Sequence, residues 1–168
     1  MLIPSWALLL SFWLHMLVTV VWLGSLAALA LFILPTTRRN LKPADFANWL
    51  DGLNQRLDPM GWFSLGILTF TGLIQMEANP NYVGLLDVSN QWALAIFVKH
   101  LIFLGMIGVS AYLTWGLAPA LKRAAFAKAV VPSRKGDQII MVRFQQLVLL
   151  NLCLGLLVLV FTAIARIS

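Results

Sequence analysis

The chain contains only two histidines, His15 and His100, and each lies within a long apolar segment. An ionisable side chain is costly inside a bilayer and usually marks a functional site. Imidazole nitrogen is also a common ligand of transition metals and of haem iron. The pair therefore points to a bound metal or a metal-containing cofactor, provided that the fold brings both rings to the same depth.

The composition identifies lipid as the surroundings of these segments. Hydrophobic residues make up 61% of the 168-residue chain and charged residues 11%, whereas soluble domains average about 25% charged residues. The mean hydropathy is +0.88. Because the apolar runs are long and lack the alternation of a β-barrel, they predict transmembrane helices. The net charge of +6 is placed beside these runs, which is typical of topology signals rather than of nucleic-acid binding.

Four apolar runs are long enough to cross about 30 Å of hydrocarbon. They cover residues 5–34, 60–76, 91–117 and 139–165. Proline delimits three of them, since Pro35 follows the first run, Pro59 precedes the second and Pro119 follows the third. We therefore predict an all-α fold, an integral membrane four-helix up-down bundle that forms a single domain over residues 1–168.

Charge predicts how the bundle is oriented. The loops between the first and second runs and between the third and fourth runs are rich in Lys and Arg, whereas residues 77–90 contain neither. The positive-inside rule therefore predicts that both basic loops are cytoplasmic and both termini are outside. No basic stretch precedes the first run, so a cleaved signal peptide is not expected. We predict a multi-pass protein of the plasma (inner) membrane.

A further helical pattern occupies residues 43–57. Its apolar positions are Phe46, Trp49, Leu50, Leu53 and Leu57. The pattern predicts a short amphipathic helix at the cytoplasmic interface, with docking of a partner protein as the alternative. If Pro59 starts the second span, Asp58 and Glu77 lie at span ends. No carboxylate is then expected inside a span, which leaves little for a proton-coupled transporter.

The two histidines are expected at nearly the same depth. His15 lies ten residues past Ser5, about 15 Å along a helix, and His100 lies nine residues past Gln91, about 13 to 14 Å. The first and third helices run in the same direction and are diagonal neighbours in such a bundle, with axes about 14 Å apart. That gap can hold a flat macrocycle on edge, with one imidazole reaching the iron from each side. A bare copper ion would need closer helices or further ligands.

Other side chains around the pair complete a predicted cofactor site. A polar and aromatic face of the first span recurs at steps of three and four residues around His15, and Gly72 of the second span permits close approach of a neighbour. Lys99 can snorkel to the surface or pair with a haem propionate. Around the proposed metal ligands His15 and His100, the predicted site residues are Ser11, Thr19, Trp22, Gly72 and Lys99. Two readings remain open, namely that each histidine only forms hydrogen bonds within the bundle, and that the metal is copper, which the six methionines could favour.

Three segments resemble the copper-resistance D (CopD) superfamily of membrane proteins. They are WLHMLVTVVWLGSL at 13–26, LTFTGLIQ at 68–75 and FVKHLIFLGMIGVSAYLT at 97–114. The first segment also resembles the first helix of HemJ-type protoporphyrinogen oxidases, in which a His precedes a Trp. This resemblance implies b-type haem bound by His15 and matches Lys99 to the lysine of the third helix. His100 departs from the copper-resistance pattern, which favours two axial histidines over copper uptake.

These observations predict a b-type haem protein. Iron held by two imidazoles has no open position, which suits electron transfer rather than oxygen chemistry. We therefore expect an electron-transfer protein, or a haem-bearing subunit of a larger membrane redox complex, rather than a stand-alone enzyme. Its expected partners are the lipid bilayer and other redox subunits or a second copy, with no nucleic acid. Copper transport or resistance of the CopD type, a HemJ-type protoporphyrinogen oxidase and a structural accessory subunit without cofactor remain the alternatives.

Overall fold

The computed structural model describes residues 3–40, 43–127 and 134–168. Within these ranges the chain is almost entirely helical and contains no strand. The helices are α1 (Ser5–Ala27), α2 (Leu34–Asn40), α3 (Pro43–Glu77), α4 (Gln91–Ala111), α5 (Ala118–Ala127) and α6 (Arg134–Ile167). Two π-helical segments, Ala28–Ile33 and Tyr112–Leu117, join α1 to α2 and α4 to α5 without a break.

Four stretches of helix are long and apolar enough to cross a membrane. Spans 1 to 4 are Ser5–Thr37, Trp49–Glu77, Gln91–Ala120 and Ile139–Ile167. The predicted all-α membrane bundle is therefore confirmed. Side-chain capping by Asn90, whose Oδ1 accepts from the Ala93 N–H at 2.7 Å, starts span 3 where the sequence predicts.

The bundle is built from two helix pairs. The α1 helix packs against α3, and α4 packs against α6; contacts of α1 with α6 and of α3 with α5 join the pairs. No comparable packing joins α4 to α1 or to α3, so spans 1 and 3 lie diagonally across the bundle. We call the end that carries the loops between spans 1 and 2 and between spans 3 and 4 the basic end, and the opposite end the terminus end.

Buried apolar side chains form three clusters along the bundle axis. The largest, the basic-end cluster, consists of Leu29, Ala30, Leu34, Leu50, Leu117, Met141, Phe144, Val148 and Leu152. The middle layer consists of Trp22, Leu65 and Met106. The terminal layer consists of Met76, Trp92 and Ala93. The two smaller layers each contain side chains of spans 2 and 3.

The second span differs from the sequence prediction at Pro59. The pattern predicts a span that starts at Pro59 and a separate interfacial helix over 43–57, but α3 runs unbroken from Pro43 to Glu77. Leu50 is only 1% exposed and packs in the basic-end cluster with Leu34 and Leu117. Burial of this apolar face against the bundle holds the helix together across the proline, which costs one backbone hydrogen bond. Asp58 consequently lies inside span 2 and not at its end.

A surface ion pair accompanies this packing. Lys122 Nζ lies 2.8 Å from Asp51 Oδ2, and the two side chains are 46% and 34% exposed. Exposed pairs are screened by water and typically contribute less than about 1 kcal/mol. We therefore expect Asp51→Asn to lower the free energy of unfolding by less than about 1 kcal/mol, as measured by thermal unfolding in detergent. A substantially larger loss would mean that the pair, rather than apolar burial, holds α3 to α5.

Candidate cofactor site

His15 belongs to a hydrogen-bonded cluster between α1 and α3. Its Nδ1 lies 2.7 Å from Thr71 Oγ1, and Ser11 Oγ donates to the Thr71 carbonyl oxygen at 3.1 Å. Gln75 Nε2 donates to the Ser11 carbonyl oxygen at 3.1 Å. Ser11 and Thr71 are both buried. Because each of these buried groups has a partner, the cluster fixes the position of the His15 ring.

The Thr71 hydroxyl determines which nitrogen of His15 carries the proton. Its single hydrogen is directed to the Ile67 carbonyl oxygen at 2.6 Å. The hydroxyl oxygen can then only accept from His15, so the hydrogen on this imidazole is assigned to Nδ1. Nε2 is left as the unprotonated nitrogen, which is the form in which histidine binds a metal.

The hydrogen of the His100 imidazole is also assigned to Nδ1, but a different contact fixes it there. Its Nδ1 lies 2.7 Å from the carbonyl oxygen of Ile96, one turn earlier in α4. A carbonyl oxygen can only accept, so Nδ1 carries the hydrogen and Nε2 is free. A backbone carbonyl at Nδ1 is a common way of orienting a metal-binding histidine. Both histidines thus offer Nε2 as a ligand.

The two histidines lie in one layer of the bundle. His100 falls between Ile96, which packs on the terminal layer, and Phe103, which packs on the middle layer. The partner of His15, Thr71, falls between Met76 of the terminal layer and Leu65 of the middle layer. We call the level between these two apolar layers the histidine layer.

Two other predicted residues join this layer. A Cβ added to Gly72 would lie 3.6 Å from His15 Cε1, so the glycine permits the ring to rest against α3. Lys99, half-buried, lies within electrostatic range of the His15 imidazole across the bundle. A cation is thereby placed beside the histidine layer.

Thr19 and Trp22 have other roles. The Thr19 hydroxyl donates to the His15 carbonyl oxygen at 2.7 Å, within its own helix. Trp22 is buried in the middle layer, and its Nε1 lies 4.0 Å from the position of a Cβ on Gly61. Neither side chain takes part in the hydrogen bonds that join α1 to α3 around His15.

Thr71 was not among the residues predicted from the sequence, although it makes the contact that orients His15. A spacing of four residues from Gln75 places both on one face of α3, and this spacing was the available signal. A threonine in a membrane helix more often bonds to its own backbone, as Thr69 does with the Leu65 carbonyl at 2.8 Å. Burial and a partner on α1 distinguish Thr71 from Thr69, which is exposed.

The donor set of the histidine layer can be compared with the needs of a metal. In residues 3–40, 43–127 and 134–168, no three His, Cys, Asp or Glu side chains come together as a metal site. A bare ion would therefore have at most two imidazole ligands here. Two imidazoles on diagonal helices, each with Nδ1 bonded to an oxygen, are the donor groups that the structure places at this level.

Thr71→Val tests the orienting contact. Valine keeps the shape of the side chain and removes the acceptor for His15 Nδ1–H. We expect metal or cofactor affinity to fall by about 10- to 100-fold, as for other partners of metal-binding histidines. The measurement is retention of cofactor during dilution in detergent. The matched control is Thr69→Val, because Thr69 lies on a different face of α3 and bonds to its own backbone. Equal retention in both variants would contradict a role for Thr71.

The comparison with protein families gives one result. The chain matches the family Copper resistance protein D over residues 52–165. This range includes Lys99 and His100 and does not include His15. No curated protein and no solved structure shows a significant match to the chain. Because the match covers more than half of the sequence, the protein belongs to the copper resistance protein D (CopD) family.

Proposed function

We propose that this CopD-family protein binds one b-type haem between His15 and His100 and transfers electrons within the plasma membrane. Two imidazoles in one layer, each with Nδ1 occupied and Nε2 free, carry the proposal. A b-type haem held by His15 and His100 would supply one-electron transfer. The protein acts alone or as a haem-bearing subunit of a larger redox complex.

The chain's own groups would hold and tune such a cofactor. Thr71 and the Ile96 carbonyl orient the two rings through Nδ1, which raises the basicity of each ligand. The middle and terminal layers place apolar side chains on both sides of such a cofactor. Lys99 supplies a positive charge for a propionate, as charge pairing inside a bilayer requires.

We further propose that the basic end of the bundle faces the cytoplasm. The loops at that end carry most of the Lys and Arg residues, whereas residues 77–90 at the terminus end carry none. By the positive-inside rule both termini then lie on the outer side, and the single four-helix domain holds its histidine layer in the outer half of the membrane.

Copper is the second candidate, and family membership favours it. Imidazole nitrogen binds copper, so the same two histidines could serve. A copper ion would, however, have to draw together two rings that stand on diagonal helices, which pack less closely than the neighbouring helix pairs. The thioether of Met16, next to His15, is not available as a third ligand because this side chain is exposed on the outside of the bundle.

Cofactor analysis of the purified protein tests the proposal. Protein expressed with haem precursor and copper both supplied is assayed for haem, iron and copper per chain. We expect haem and iron in equal amounts, close to one per chain, with copper far below that ratio. About one copper per chain without haem would replace the proposal with the copper candidate. Neither metal in a folded preparation would leave the structural accessory role as the function.

A further inference from the structure

A second polar site lies at the basic end of the bundle. A cavity of about 100 Å³ is lined by residues from all four spans. Trp22 and Leu65 of the middle layer also line it, so they separate it from the histidine layer. Its polar lining comprises one carboxyl, two amide and four hydroxyl side chains, namely Asp58, Asn54, Asn151, Ser25, Ser64, Ser110 and Thr114.

Asn151 provides an unpaired oxygen at this cavity. The residue is 2% exposed, and its Nδ2 donates to Ser110 Oγ at 2.9 Å. Its Oδ1 is buried and has no hydrogen-bond partner among the described side chains and backbone. A buried carbonyl oxygen without a partner costs about 1 to 3 kcal/mol. Such an orphan inside a membrane bundle indicates a ligand that donates a hydrogen or carries positive charge.

Asp58 provides a carboxyl group at the same cavity. Its carboxyl group faces the Thr114 hydroxyl, and no Lys, Arg or His is among the residues that line the space. In the described ranges the one ion pair between side chains joins Lys122 to Asp51, which lies earlier in α3 than Asp58. A carboxylate within a span and without a cationic partner is a strong sign of a bound cation or of a functional proton.

Two serine hydroxyls of the lining, those of Ser25 and Ser64, add acceptors rather than donors. Ser25 Oγ donates its hydrogen to the Val21 carbonyl oxygen at 2.7 Å. Ser64 Oγ donates to the Met60 carbonyl oxygen, also at 2.7 Å. Each hydroxyl has only one hydrogen, so both oxygens present lone pairs alone to any further ligand. The lining therefore combines the Asp58 carboxyl group with two hydroxyl oxygens that can only accept.

We propose that this cavity binds a monovalent alkali cation, represented by Na⁺, through the Asp58 carboxylate and Asn151 Oδ1. Its volume of about 100 Å³ leaves room for a few water molecules of about 30 Å³ each, which complete the coordination. A single carboxylate balances one positive charge, whereas calcium sites typically combine several carboxylates and carbonyls. Oxygen ligands also disfavour copper, which prefers sulfur and nitrogen. The site is separate from the histidine layer and does not depend on the cofactor proposed there.

Thermal unfolding in detergent tests this proposal with Na⁺ itself as the probe. NaCl replaces choline chloride at constant ionic strength, and unfolding is followed by tryptophan fluorescence. Because a ligand that binds the folded state stabilises it in proportion to the logarithm of its concentration above Kd, Tm is expected to rise with Na⁺. Asp58→Asn is expected to abolish this rise, and Asn151→Leu to move it to at least tenfold higher Na⁺.

Asp51→Asn is the matched control, since it makes the same charge change on the same helix outside the cavity. Its Tm is expected to respond to Na⁺ as that of the wild type does. A wild-type Tm that is the same in NaCl and choline chloride would overturn the proposal. An equal Na⁺ response in the wild type and Asp58→Asn would also overturn it. If Asp58→Asn does not fold, a Na⁺ response of Asn151→Leu equal to that of the wild type would overturn the proposal.

Discussion

Replacement of either histidine by alanine is expected to remove the low-spin haem of the purified protein. His15→Ala and His100→Ala each delete one of the two axial nitrogens, and no other described His, Cys, Asp or Glu group is placed to substitute. We expect the amount of haem retained per chain to fall at least about tenfold. Mutation of a residue that only hydrogen-bonds to a metal ligand already lowers affinity by about 10- to 100-fold, so loss of the ligand itself should cost at least as much. Optical spectra and haem content of protein purified in parallel provide the measurement.

Leu101→Ala is the matched control for these substitutions. Leu101 follows His100 in α4 but is exposed on the outside of the bundle, so its truncation should leave haem content unchanged. Loss of haem from His15→Ala alone would contradict two axial histidines and support a single ligand on α1. Full haem retention in both histidine variants would contradict the histidine layer as the binding site.

Leu50→Ala is expected to cause the largest loss of stability among the substitutions considered. Leu50 is 1% exposed and packs with Leu34 and Leu117 where spans 1, 2 and 3 meet. Truncation of a buried leucine leaves a cavity and typically costs about 2 to 5 kcal/mol of unfolding free energy. Thermal unfolding in detergent, followed by tryptophan fluorescence, measures the loss.

Leu9→Ala serves as the comparison, because Leu9 is 71% exposed on span 1. Its truncation should change the free energy of unfolding by less than about 0.5 kcal/mol, as for surface positions generally. Similar small effects in both variants would contradict the burial of Leu50 against the bundle. That result would instead favour the interfacial helix that the sequence pattern predicts.

The sequence predicts the spans well because lipid imposes a strong and simple constraint on composition. All four predicted runs fall within the helices of spans 1 to 4. The polar face around His15 is equally readable, since Ser11 and His15 recur one turn apart and both contact Thr71. The equal depth of His15 and His100, counted along the helices from their starts, stays a prediction.

The basic end of the bundle could not be predicted in the same way. Proline is a reliable sign of a helix start only where neighbouring structure does not hold the helix on both sides of it. At Pro59, the free energy gained by burying Leu50 on the preceding turns exceeds the free energy lost with one backbone hydrogen bond. Because Pro59 sets the expected boundary, Asp58 is assigned to a span end, and its place in the cavity is missed.

Partners across the bundle are the second feature that sequence spacing does not reveal. Thr71 and Asn151 gain their importance from Ser11, His15 and Ser110, which lie 41 to 60 residues away in the chain. Spacing within one helix identifies a shared face, but it does not say which neighbour that face meets. The packing of α1 on α3 and of α4 on α6 supplies this information.

The most direct measurement is the optical spectrum of the detergent-purified wild-type protein, oxidised and then reduced with dithionite. Two axial imidazoles predict a low-spin spectrum, with a Soret band that shifts to the red and a sharp α-band on reduction. A colourless preparation, from cells in which haem supply is confirmed, would contradict haem binding between His15 and His100.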